Sequence, residues 1–105
     1  MKRGDIYLAN LNPTIDSEQA GTRPVLIVSR DAINKSSPVV IIVPLTKYAN
    51  SKRIYPSHHL IKAANNGLTT DSIAKCEQIR AIAKSRLQTK KGSLLTQDME
   101  AIDNL

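Results

Sequence analysis

Apolar residues fall in short runs along the chain, and stretches rich in polar residues, glycine or proline separate them. Ile6-Tyr7-Leu8 follows Gly4-Asp5 and alternates weakly, which predicts a short first strand. Asn10 to Thr22 is polar and contains Pro13 and Gly21, so a long mobile loop is expected there, and such loops in small domains are usually functional. Pro24-Val25-Leu26-Ile27-Val28-Ser29 is β-branched and apolar, the pattern of a buried strand. Pro24 lacks a ladder donor and is expected at that strand's first position. Arg30 to Lys35 suits one helical turn. Val39 to Val43 predicts a second buried strand, opened by Pro38 and stopped by Pro44, after which Leu45-Thr46 leaves the sheet.

Downstream, Tyr48 to Pro56 reads as a polar loop and His58 to Ile61 as a strand. Asn65-Asn66-Gly67 is a turn signal. Ser72 to Cys76 and Gln78 to Ile82 suit two short strands or one bent strand. Gly92 is expected to break the chain. Thr96 is the expected N-cap of a last helix, with Asp98 in its first turn and Leu95, Met99 and Ile102 on one face. The whole predicts a mainly β fold with a C-terminal helix. Five or six short strands would form a small, strongly bent barrel with loops gathered at its ends. At 105 residues the chain fits one domain, taken as residues 1–105.

Composition adds a partner class. Fifteen lysines and arginines stand against nine acids, for a net charge of +6. An excess of that size attracts polyanions through counterion release, although a basic surface also serves solubility alone. Hydrophobic residues at 41% and charged residues at 23% belong to a folded protein rather than a disordered one. One cysteine, Cys76, makes no internal disulfide, so a cytoplasmic location is the default expectation. No apolar run approaches membrane-spanning length and no signal-peptide pattern is seen, so no membrane role is expected. The three aromatic residues are Tyr7, Tyr48 and Tyr55, too few for extensive base stacking.

The chemistry is narrowed by what the residue types allow. His58 and His59 are adjacent, so on a strand they point to opposite faces and do not pair as metal ligands. Asp5, Asp16, Glu18, Asp71 and Glu77 are scattered, and no metal site is expected. Cys76 lies in a strand run, where a thiol is usually a small hydrophobe. What remains is arginine, threonine and loop polar groups. RNA suits that set, because it carries its own nucleophile, the ribose 2′-OH. The protein then only aligns that hydroxyl and neutralises phosphoryl charge. If the two buried strands pair antiparallel, Arg23 at the start of one meets Thr46 at the end of the other. On spacing alone, a surface arginine and a strand-ending threonine without chemistry remain equally open.

The blocks RGDIYLANLNP, SEQAGTRPVLIVS, VPLT and CEQIRAI occur in this order. They resemble the MazF/PemK (Kid-like) toxins of bacterial type II toxin–antitoxin pairs, over nearly the whole chain up to about Leu95. The resemblance implies an SH3-like barrel of the CcdB/MazF type that forms a homodimer. It implies a metal-independent, sequence-specific endoribonuclease that needs no cofactor. Such enzymes cut single-stranded RNA, including mRNA, to 2′,3′-cyclic phosphate and 5′-hydroxyl ends. The implied catalytic pair is Arg23 in TRPV and Thr46 in PLT. Ser17, Glu18 and Gln19, with Glu77 and Gln78, match positions that line the RNA groove. A cognate antitoxin protein is the implied partner, with DNA contacted only through it. Many relatives carry an aliphatic residue where Cys76 stands, and family members usually run beyond Leu105.

Physical chemistry limits these roles. An arginine stays charged, so Arg23 is assigned to phosphoryl charge stabilisation, Thr46 to positioning the phosphate, and Glu18 is the candidate base. Glu77 and Gln78 are expected to read base edges, against a reading as polar pairs on a strand face. Arg80 is expected to fix Glu77 or to contact phosphate. Lys47, Lys52 and Arg53 are expected to track the RNA backbone, against a reading as a solvated loop. Two other functions stay open: a non-nucleolytic toxin of the same fold acting on DNA gyrase, and a basic RNA-binding module without catalysis.

Overall fold

The computed structural model describes residues 1–12, 21–49 and 54–105. The chain forms β1 (Asp5–Asn10), β2 (Thr22–Ile27), α1 (Asp31–Ser36), β3 (Val39–Lys47), β4 (His58–Ile61), β5 (Ser72–Lys75), β6 (Arg80–Ala83), β7 (Leu87–Ser93) and α2 (Thr96–Asp103). Short 3-10 turns at Ala63–Asn65, Cys76–Gln78 and Lys84–Arg86 link them. The strands form one antiparallel sheet in the order β4-β5-β3-β2-β1-β7, with β6 also on β3. The sheet bends in the SH3-like manner but does not close on itself among the described residues. No helix among the described residues is long and apolar enough to cross a membrane.

Both faces of the central strands are buried, which explains their unbroken apolar runs. Leu26, Val43 and Leu45 join Ile6, Ile61, Ala74, Leu94 and the α2 residues Met99 and Ile102 in one cluster. Val25, Ile27, Val40 and Ile42 point the other way and pack with Ala9, Leu11 and Ile82. Strand alternation thus splits one run of residues between two cores.

The expected strands at Ile6–Leu8 and His58–Ile61 and the turn at Asn66-Gly67 are present, as is α1. Four expectations change. Pro24 is the third residue of β2, paired with Leu8, not the first. Pro44 does not stop β3, which runs on through Leu45 and Thr46 to Lys47 on β5. Gly92 does not break the chain but lies within β7, a strand the sequence pattern did not announce. A Cβ on Gly92 would fall 2.1 Å from the Asn66 carbonyl oxygen, so glycine here permits a close backbone approach. Thr96 is not the N-cap of α2: Leu95 holds that position with no side-chain cap. The Leu95 carbonyl already accepts from the Asp98 and Met99 N–H groups, so the helix starts one residue earlier.

Both prolines are tolerated because of where their missing donors point. The Ile41 carbonyl accepts from Val28 N–H, so odd-numbered residues of β3 face β2 and even-numbered ones face β5 and β6. Pro44 therefore lacks its N–H on the edge shared by β5 and β6. The β5 ladder ends at Leu45 opposite Ala74, and the β6 ladder begins at Ile42 opposite Arg80. Between them Cys76–Ile79 bulges outward, opposite the proline that offers no bond. The two short strands are thus one strand along β3, interrupted where Pro44 sits. Likewise, Ile27 O accepts from Gly4 N–H on the β1 side, so Pro24 lacks its donor towards β3. The β2–β3 ladder accordingly ends at Val25 opposite Pro44.

Candidate active site

The ends of these ladders gather the polar residues. Val25↔Pro44, Leu26↔Val43 and Ile27↔Ile42 are paired. Continuing that register by two residues sets Arg23 across from Thr46, on the same face of the sheet. Pro24 lacks an N–H to give to β3, and the paired register stops at Val25 opposite Pro44. Arg23 is half-buried and also lies opposite Ala9 of β1. Thr46 is buried, 7% exposed, and lies opposite Ile73 of β5. Lys47, the next residue, is exposed. The paired residues themselves stop short of Arg23 and Thr46, whose partners in the sheet are Ala9 and Ile73.

The loop that leads to Arg23 is closed at its base. Leu11 N–H donates to Gly21 O and Gly21 N–H to Asn12 Oδ1, both at 3.0 Å. Arg86 Nη1 donates to the Asn10 carbonyl at 3.2 Å and also to the Asn12 carbonyl. Ser17, Glu18 and Gln19 of that loop lie outside the described residues, as do Lys52 and Arg53 and the centres of both expected loops.

A second polar cluster lies at the bulge opposite Pro44, which carries Glu77 and Gln78. Its first residue is anchored by Cys76 N–H to Ser57 O at 3.1 Å. Glu77 is exposed, and both its carboxylate oxygens are held. Ser57 Oγ donates to Oε1 and His58 Nε2 bonds Oε2, each at 3.0 Å. Tyr55 N–H donates to His58 Nδ1 at 3.3 Å, which assigns the remaining proton of a neutral ring to Nε2, facing Glu77. Burial pushes the Glu77 carboxyl up. Hydrogen bonds from His58, from its own N–H and from Ser57 outweigh that and hold it below the usual glutamate value. Burial, with the Glu77 charge beside it, pushes the Cys76 thiol up, the reverse of what a cysteine nucleophile requires.

Arg80 does not fix Glu77. It lies on β6 opposite Ile42, and one guanidinium nitrogen, Nη1, is buried without a hydrogen-bond partner among the described residues. The role expected of Arg80 towards Glu77 falls instead to Ser57 and His58, neither of which the sequence singled out for it. Alternation along β4 shows only that His58 and His59 diverge. That His58 meets a residue 19 positions away depends on the bulge. His59 turns to α2 and bonds Asp98 at 2.8 Å. Among the described residues, no group of three or more His, Cys, Asp or Glu side chains could hold a metal ion.

Cationic, hydroxyl and carboxylate groups are thus carried by the strand ends and the bulge of a small, basic, antiparallel β fold. Comparison with known proteins makes this specific. The model of PemK-like, MazF-like toxins of type II toxin–antitoxin systems matches residues 2–105. An Endoribonuclease MazF of Staphylococcus saprophyticus subsp. saprophyticus is 42% identical over 104 residues, covering 99% of this chain and 86% of that protein. An endoribonuclease from a mycobacterial species, solved in complex with its cognate antitoxin, superposes with a TM-score of 0.78 at 25% identity, covering 98% of this chain and 87% of that one. MazF from Deinococcus radiodurans shares the fold with a TM-score of 0.83 at 21% identity, over 99% of this chain and 90% of that one. The chain belongs to the PemK/MazF family of type II toxins and is an endoribonuclease.

Proposed function

We propose that this endoribonuclease is a single toxin domain over residues 1–105 that cuts single-stranded RNA, including mRNA, at short sequences without a metal ion. The observation that supports the reading is the antiparallel β2–β3 register, which ends at Val25 opposite Pro44 and, carried two residues further, would bring Arg23 across from Thr46. In the reaction, the ribose 2′-oxygen attacks phosphorus and loses its proton to a base, for which Glu18 is the candidate. The bond from phosphorus to the 5′-oxygen breaks, and that oxygen takes a proton. The products are a 2′,3′-cyclic phosphate and a 5′-hydroxyl. Negative charge grows on the non-bridging oxygens as the phosphorus becomes five-coordinate. The Arg23 guanidinium presents a planar fork of donors that suits them, and the Thr46 hydroxyl adds a donor from the facing strand. Lys47, Lys52, Arg53 and Arg80 supply backbone charge, and Ser17, Gln19, Glu77 and Gln78 line the groove.

The proposed assembly is a homodimer in the cytoplasm. Its support is a cavity of about 380 Å³ lined in part by Val28, Ile41, Cys76, Ile79 and Leu105, three of which are exposed large hydrophobics. A cognate antitoxin with an acidic or extended segment would complement the net charge of +6 and block the groove, and DNA would be contacted only through it. The test is incubation with mixed RNA in EDTA, followed by analysis of the cut ends. Discrete cuts with 5′-hydroxyl ends are expected. Intact RNA from folded protein, or cutting that appears only on adding a divalent ion, defeats the reading.

A further inference from the structure

We propose that Lys84, Arg86, Lys90 and Lys91, in and just before β7, form a phosphate track that holds single-stranded RNA beyond the cut site. The track is a second contact surface, outside the groups assigned to cutting. It rests on the placement of the scissile phosphate at Arg23.

The charge of the protein is concentrated here. Residues 78–97 carry five cations, Arg80, Lys84, Arg86, Lys90 and Lys91, and no acid. The rest of the chain carries ten cations against nine acids, so this one segment supplies five of the six net positive charges. A polyanion responds to such a local excess more than to a surface of mixed sign. The positive groups are also available. Gln88, Thr89, Lys90 and Lys91 are exposed in succession, so neither face of β7 is covered there. Lys84 and Lys91 form no ion pair among the described residues. Arg86 gives Nη1 to the Asn10 and Asn12 carbonyls, neutral acceptors that leave its charge uncompensated. Lys90 reaches Asp5 at 3.5 Å, yet its side chain stays 51% exposed.

The track begins close to Arg23. Ala9 pairs with Arg23 on one side and with Leu87 on the other. Leu87 and Ala9 pack with Val25 in one cluster, and Arg23 stands two residues before Val25, so all share a face of the sheet. With strands about 4.8 Å apart, Leu87 lies roughly 10 Å from Arg23. The Lys84–Arg86 turn comes just before Leu87, and Lys91 lies about 13 Å beyond it along β7. β7 and β3 flank Arg23 on opposite sides, so the track extends to one side of the cut only. The segment holds no aromatic residue, so its contacts go to phosphate and carry no base preference. Lysines that only guard a sheet edge would explain Lys90 and Lys91, but not Lys84 and Arg86 in the turn or the exclusion of acids. An acidic peptide added as a further strand needs a regular ladder, and the pairing of β7 slips at two places.

The test is cleavage of an RNA with one mapped cut sequence, either bare or extended by about ten uncut nucleotides on its 5′ or its 3′ side. In wild type, one of the two flanks should lower KM by about three- to tenfold. Lys84→Gln/Lys91→Gln, which keeps aliphatic stems at both positions, should lose most of that gain, and Lys84→Glu/Lys91→Glu all of it. The log–log salt slope for the flanked RNA should become shallower by about 1.4 in the glutamine variant, roughly 0.7 for each phosphate released. If flanked and bare RNA behave alike in wild type, or both variants keep the gain, the track is overturned. A poly-glutamate peptide that binds wild type but not the variants, while they keep the gain, assigns the segment to an acidic protein and overturns the track as well. If Arg23→Ala cuts as fast as wild type, the placement of the scissile phosphate fails. Anisotropy of flanked against bare oligonucleotide then decides the track alone. A gain from the flank that the variants lose upholds it, and equal binding of the two by wild type overturns it.

Discussion

His58 and His59 stand side by side on β4, and each holds a carboxylate, at 3.0 Å and 2.8 Å. Their surroundings differ. The His59–Asp98 pair joins the sheet to the first turn of α2, with both side chains largely covered at 22% and 19% exposure. Asp98 also complements the positive end of that helix. The His58–Glu77 pair is lopsided, with a buried imidazole behind an open carboxylate. Chemically alike pairs thus serve a clamp on one face and a rim on the other. The lesson is that two histidine–acid pairs of like chemistry differ chiefly in the exposure of the acid. The helix side should answer to damage by losing stability, and the rim side by losing chemistry.

The largest effect is expected on the rim. Arg23→Ala should lower the cleavage rate by about 10²–10³-fold, the typical loss for one preorganised donor, while RNA binding stays measurable and the thermal midpoint hardly moves. A variant as active as wild type would remove Arg23 from the mechanism. On the helix side, Asp98→Ala leaves His59 without its acceptor and loosens α2. We expect a loss of about 1–2 kcal/mol in urea unfolding, with the cut sites unchanged under conditions where the variant is folded. A shift in cut sites without lost stability would break the division of labour.

A smaller effect separates the two sides by pH. Asp5, on β1, is 6% exposed. Burial pushes its carboxyl up, but the Lys2 N–H, the Ser93 hydroxyl and Lys90 outweigh burial and hold it below the usual aspartate value. A carboxyl lowered by folding contributes stability above its unfolded pKa of about 3.9, and that contribution is lost as the pH falls through the lower folded value. Wild type should therefore lose an advantage of about 1 kcal/mol over Asp5→Asn as the pH is lowered through that window. A constant gap between the two proteins across acid pH would exclude Asp5 as a source of acid sensitivity.

Local signals carried the strands of the core and little of the rim. Val25 to Ile27 and Val39 to Val43 were readable because β-branched runs bury on both faces, and their expected antiparallel pairing is present. The prolines misled because proline reads as a strand end. Pro24 and Pro44 instead sit inside strands, each with its missing donor aimed where a ladder stops. β7 escaped notice because Leu87 to Ser93 is mostly exposed and lacks alternation. The hold of Ser57 and His58 on Glu77 had no local signal at all. It arises at the bulge opposite Pro44, where Ser57 and His58, not Arg80, hold the carboxylate.

β7 has one further consequence. Among the described residues its only strand neighbour is β1, which leaves an outer edge able to template an extended chain. One end of that edge is covered where the Asn66-Gly67 turn packs against Lys91 and Gly92. The pairing with β1 slips at two irregularities, so the strand does not run flat. Lys90 and Lys91 stand exposed along the rest. Two identical copies brought edge to edge would press lysine against lysine. Charge and irregularity along this edge therefore disfavour fibril-like stacking of one copy on the next.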